Sequence, residues 1–206
     1  MQYYSDSNSG ALRMGDIVRG FVLGAAKQTK PNPSPHDYLV SLRNPDFSVI
    51  LTPCCSIGHN TLSLAPLLQI IPKWLENPYF TEDLTNINRE MQPEQAVSPQ
   101  VWKTLGDQER QRKLRSGKAY ALVEWFVFPP HQVIGQYKSK SRKGEIEMGH
   151  YAVDFRLIFR VECEAVANTK QVPIDAKVLE LSIEARNELR FKLSSYFGRV
   201  PDEDTI

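Results

Sequence analysis

The chain has 206 residues, 41% of them hydrophobic and 24% charged, so it is too apolar for a disordered polypeptide and long enough to bury a core without staples. Its net charge of +1 gives no whole-chain electrostatic case for nucleic acid. No apolar run approaches the roughly 18 residues of a membrane span, the first residues lack a basic-then-apolar leader, and three cysteines with two adjacent make no disulfide framework; the expectation is a soluble, cytoplasmic protein with no cofactor.

Residues 1–12 are polar. "RMGDIVRGFVLGA" predicts a strand buried on much of both faces and entered through Gly15. "KQTKPNPSPH" is a proline-marked loop, and "DYLVSLRN", "FSVILT" and "TLSLAPLLQI" predict three more strands, the last stopping at Pro66. Four strands joined by short connections predict a small antiparallel barrel or curled sheet.

From Pro72 to Gly117 the character changes, and the segment predicts a helical insertion or cap. Its helix runs from an N-cap at Ser98, with Pro99 in first position, to Gly117. "KAYALVEWFVFPP" is the next strand, and "HQVIGQYKSKSRKGE" reads as a basic hairpin tip. Val153, Phe155, Leu157, Phe159 and Val161 alternate with Asp154, Arg156, Arg160 and Glu162, with Ile158 as the exception, the pattern of a half-buried strand. The last element starts at Leu179: Ser182 is the expected N-cap, Ala185, Leu189, Leu193 and Tyr196 recur at helical spacing, and Gly198 ends it. The whole predicts one α+β domain over 1–206, with a β-core at 13–70 and 119–162, the insertion at 72–117 and a C-terminal helix at 179–198.

Three groups of residues are candidate sites. Cys54 and Cys55 with His59 suggest metal or thiol chemistry, and Cys55, His59, His150 and Cys163 are the set that would have to converge on zinc. Adjacent strand residues point to opposite faces, and no acid partner or nucleophile elbow accompanies them, so a turn between buried strands, with one cysteine in the core and the other at the sheet edge, is the competing reading. Arg43, Tyr137, Lys138, Lys140, Arg142 and Lys143 form a candidate phosphate-binding patch or a solvated basic face. Trp74, Tyr79, Phe80 and Trp102 are either a satellite core under the insertion or a surface for a protein partner.

"MGDIVRGFV" followed by "SVILTPCCSIGHNTLSLAPLL" resembles the opening of MazF/PemK-like toxins, with their G-D-[IV] strand. Val49–Cys54, Val153–Arg156 and Leu181–Leu189, with Arg199 beyond, also resemble an uncharacterised bacterial group. That group carries V-x-S/T-Q-x-C-D at a strand end, then V-D-[FL]-R and L-S-x-x-x-R-x-x-L. The resemblance implies an SH3-like barrel, RNA binding or cleavage in the toxins, and a place among accessory parts of bacterial antiviral defence or mobile-element systems. Arg43 is displaced from the toxins' Arg-Pro position, and Ser56 stands where the second group has Asp, so the residues for inherited cleavage chemistry are missing. The expected function is therefore a non-enzymatic accessory protein that docks on a protein partner, with an RNA-binding or RNA-cleaving protein and a zinc-stabilised fold as alternatives.

Overall fold

The structure is a computed structural model that describes residues 2–7, 9–31, 34, 37–57, 61–70, 84–88, 96–97, 101, 104–116, 119–120, 124–141, 149–162 and 176–198. Its strands are β1 (Ile17–Val18), β2 (Leu23–Gln28), β3 (Tyr38–Arg43), β4 (Ser48–Ile50), β5 (Thr61–Pro66), β6 (Leu68–Gln69), β7 (Ala96–Val97), β8 (Ala119–Tyr120), β9 (Trp125–Phe128), β10 (Tyr151–Asp154), β11 (Phe159–Glu162) and β12 (Lys177–Leu179). The helices are α1 (Asp107–Arg115), α2 (Gln132–Ser141) and α3 (Ile183–Phe197).

The fold is α+β. A five-stranded antiparallel sheet has the order β11-β5-β4-β1-β12, a three-stranded one the order β6-β10-β9, and β2 with β3 forms a separate ribbon; β7 and β8 are a short parallel pair. The described strands do not close into a barrel.

The five-stranded sheet is apolar on both faces, which explains why "SVIL" reads as a continuous run rather than an alternation. Ile17, Val49, Leu51 and Ala65 face the larger core, built with Phe126, Phe128, Tyr151 and Val153 of the second sheet and with Ile134, Ala185 and Leu189 of α2 and α3. Val18, Ile50, Leu62 and Leu64 face a smaller core with Leu12, Leu23 and Phe159. Each such side chain contributes about 1.5–3 kcal/mol on burial.

Several sequence expectations need correction. The first predicted strand is two strands in two sheets, because Gly20, at φ 84°, turns the chain between β1 and β2. The alternating 153–161 pattern is also split: a turn after Asp154 sends β10 and β11 into different sheets, and Asp154 is buried rather than solvated. The expected basic hairpin tip is helical over Gln132–Ser141. The helix predicted from Ser98 is interrupted: Val101 and Thr104 are helical, Leu105 and Gly106 break it, and α1 starts anew at Asp107, where the Gly106 carbonyl accepts from Glu109 and Arg110; Ser98 itself lies outside the described residues. Leu179, the expected start of the last helix, ends β12; Ser182 does cap α3, its hydroxyl accepting from the Ala185 N–H at 3.2 Å.

Within the span read as an insertion, Asn88 and Ile87 belong to the core. Asn88 treats Val127 of β9 as a strand neighbour would: its Oδ1 accepts from the Val127 N–H and its Nδ2 donates to the Val127 carbonyl, each at 2.6 Å. Nδ2 also reaches the Tyr3 hydroxyl. The carboxamide thus closes the outer edge of β9.

Gly15 has φ 90°, and a Cβ there would lie 2.7 Å from Leu181 Cδ1 and 3.3 Å from Leu189 Cδ2. Gly15→Ala should lower the unfolding free energy by about 1–3 kcal/mol, read from the urea midpoint at unchanged slope.

Candidate functional site

Charge is concentrated where β1, β12 and α3 meet. Lys177 Nζ lies 2.6 Å from Glu180 Oε2, 2.9 Å from Asp16 Oδ2 and 2.9 Å from the Ala11 carbonyl. Those acceptors match the three protons of an ammonium. Arg186 adds contacts at 3.1 Å to Glu180 and 3.0 Å to the Leu181 carbonyl. Asp16, Lys177 and Glu180 are all buried.

The two carboxylates respond oppositely to this setting. Burial raises Asp16 above its ordinary value, outweighing the pull of Lys177 and of the Arg13 N–H. Its Oδ1 has no hydrogen-bond partner among the described residues. Burial would also raise Glu180, but hydrogen bonds from Lys177, Ser9 and Arg186 pull it down to about 2. A third cation, Arg13, reaches Glu180 Oε1 at 3.6 Å from the solvent side, so three cations face two carboxylates. The cluster explains two residues of the sequence motifs: Asp16 after Gly15, and Arg186 as a counter-ion.

A second lock follows β10. The Arg156 backbone N–H and Nε donate to Asp154 Oδ1, each at 2.9 Å, and Nη2 donates to Oδ2 at 2.7 Å. Its guanidinium also lies 5.8 Å from the centre of the Trp125 ring. The "VDFR" stretch is thus a turn clamp.

The surface offers two further features. A cleft of about 510 Å³ is lined by Tyr3, Tyr4, His131, Gln132, Val133 and Leu179, among others. Three of its polar groups are already engaged: the Tyr3 and Tyr4 hydroxyls donate to the carbonyls of Val127 and Pro129, and His131 Nδ1 accepts from the Val133 N–H. Burial lowers His131 below the usual imidazole range.

The other feature is the β2–β3 ribbon, which projects as an arm. The register pairs Gly24 with Leu42, Ala26 with Val40 and Gln28 with Tyr38, so these side chains share one face. Val22 extends that face by its parity. Val40 is 74% exposed and Leu42 69%, with Val22 and Tyr38 about half exposed. Leu42 leans on Gly24, whose added Cβ would stand 3.4 Å from Leu42 Cδ2. No charged residue occupies this face. At its base Leu23 is buried in the smaller core, and the Arg43 guanidinium lies 5.8 Å from the centre of the Phe159 ring.

The expected site residues scatter. Cys54 and Cys55 form a 3-10 turn (Cys54–Ser56) and are both exposed, so neither is the core cysteine that the turn reading expected. Among the described residues no cluster of metal-binding side chains forms; His59 and Cys163 lie outside them. Arg43 ends β3, whereas Tyr137, Lys138 and Lys140 fall on α2; Arg142 and Lys143 lie outside the described residues. Trp74, Tyr79, Phe80 and Trp102 also lie outside them. Sequence reading passed over the arm's exposed face because alternation in "YLVSLR" gives two faces without saying that the more apolar one stays open. Comparison with protein families, with curated proteins and with solved structures finds no match.

Lys177→Met would strand two buried carboxylates and should cost about 3–5 kcal/mol in urea unfolding. Acid titration should separate the carboxylates. Glu180 contributes stability above its ordinary 4.5 that is lost as pH falls toward about 2, and Glu180→Gln should flatten that fall. Asp16 has the opposite sign, because protonation relieves its burial cost.

Proposed function

We propose that this protein is a non-enzymatic accessory subunit that docks on a protein partner, and that the β2–β3 arm is its docking element. One observation carries the reading: Val22, Tyr38, Val40 and Leu42 form a continuous uncharged face held out into solvent on a two-stranded ribbon. An isolated hairpin is marginal in water, and exposed apolar ladders of this kind mark interaction surfaces. The two charge clusters hold chain segments together, Lys177 joining β12 to Asp16 and Arg156 clamping the turn after β10. A role in bacterial antiviral defence and a relation to SH3-like barrels follow from the motif resemblance alone.

A second reading, RNA binding, has in its favour the basic sequence of α2 with Tyr137, Lys138 and Lys140. Absorbance at 260 nm of protein purified at low salt tests it, and absence of co-purifying RNA would end it.

The double variant Val40→Lys, Leu42→Lys should keep its melting temperature within a degree or two, because both side chains are exposed. In affinity capture from the native host it should lose the proteins that the unmodified chain retains. Equal retention by both would remove the arm from the docking role.

A further inference from the structure

Resting on the reading of the arm as a docking element, we propose that its first occupant is a second copy of this chain, paired antiparallel at the open edge of β3. Two other sheet ends are covered. Asn88 closes β9. The chain leaving β12 is joined by the N-terminal segment, through the Tyr4–Leu181 bridge, the Ser5 N–H to the Glu180 carbonyl at 2.9 Å and the Ser182 N–H to the Tyr3 carbonyl at 3.0 Å. No described strand pairs with the outer edge of β3. This strand also lacks the usual protections of an edge, having no proline, no bulge in its register and no charge before its final residue.

The hydrogen-bond phase shows which groups are open. The Thr29 N–H donates to the Asp37 carbonyl at 2.9 Å, which makes that a hydrogen-bonded pair. Pairs alternate along an antiparallel ribbon, so Gln28–Tyr38, Ala26–Val40 and Gly24–Leu42 are the non-bonded ones. The N–H and C=O groups of Tyr38, Val40 and Leu42 therefore point away from β2, toward the open edge. They belong to the same residues whose side chains form the apolar face.

A two-fold axis through Val40 satisfies all of them at once. Val40 then pairs with Val40 of the second copy, and Tyr38 with Leu42, each exchanging both backbone bonds. The same register sets Arg43 of one copy opposite Asp37 of the other, twice over, adding a second cation to a carboxylate that already holds Lys30 Nζ at 2.7 Å, and Leu39 opposite Ser41. An axis through Ser41 would instead put Arg43 against Leu39 and lose the charge pairing. Two apolar faces merge into one four-stranded surface, and the two β3 edges are consumed, so the assembly is closed.

Sedimentation velocity of the full chain from about 1 to 100 µM tests the proposal, with a concentration-dependent monomer–dimer equilibrium as the expected result. Val40→Pro removes only an outward N–H and leaves the β2–β3 bonds intact, so it should weaken the dimer about tenfold or more. Amide exchange in the unmodified chain gives a readout that does not depend on a variant folding. The Tyr38, Val40 and Leu42 amides should slow about tenfold or more between low and high concentration, while those of Leu39 and Ser41 are protected throughout. A chain that stays monomeric to the top of the range overturns the proposal; so does a dimer in which those amides remain fast. In either case loss of host-protein capture by the lysine double variant would leave the docking reading standing, and its retention would remove that too.

Discussion

Everything in the larger core depends on one buried ammonium. Lys177 sits on β12, yet it holds the Ala11 carbonyl and Asp16 in the N-terminal part of the chain and Glu180 just ahead of α3. Hydrophobic burial alone would let these segments slide over one another, because it has no direction. An ammonium with fixed acceptors admits one arrangement. That arrangement brings Gly15 under Leu181 and Leu189, where only a residue without a side chain fits. The cost is the desolvation of two carboxylates, visible in the upward push on Asp16.

The two sheets use different means to stay finite. The five-stranded sheet is buried on both faces and joined at its β12 end by the first residues of the chain. The three-stranded sheet ends in β9, where the Asn88 carboxamide takes both backbone groups of Val127 and the Tyr3 hydroxyl shares its carbonyl. Beside these two ends the arm stands out: its base is fixed by Leu23 and Arg43, its apolar face is exposed, and no described strand pairs with the outer edge of β3. Polar groups close the β9 edge and the chain leaving β12, and among the described residues no strand does the same for β3.

Much of the fold could be read from residue patterns. The strands at "FSVILT", "TLSLAPLLQI" and "DYLVSLRN" and the capped final helix follow from β-branched runs, prolines, Ser182 and Gly198. The misreadings share a cause, which is that periodicity is local. Residues 153–161 keep their alternation, Ile158 excepted, through a turn, because Asp154 folds back on Arg156 and hides its polarity in a clamp. "HQVIGQYKSKS" carries the glycine and serines of a hairpin, but it forms a helix with Ile134 buried in the core. The charge cluster was least legible, since Asp16, Lys177 and Glu180 look like ordinary solvated residues until β1 and β12 are placed side by side. The openness of the arm's apolar face was likewise out of reach, because what fails to cover a surface leaves no trace in its own sequence.

The sequence separation of these contacts also sets an order of events. The arm closes through neighbours only a hairpin apart, on a timescale of microseconds. The clamp that seats β1 needs Lys177 and Ser9, which lie 168 residues from each other. During synthesis the two strands of the arm are therefore in reach of each other long before Phe159 and Lys177 emerge, and the hairpin, marginal by itself, is fixed only when those later residues close over Leu23 and Arg43 at its base. The arm is the first part of the sheet structure able to form and among the last to be held.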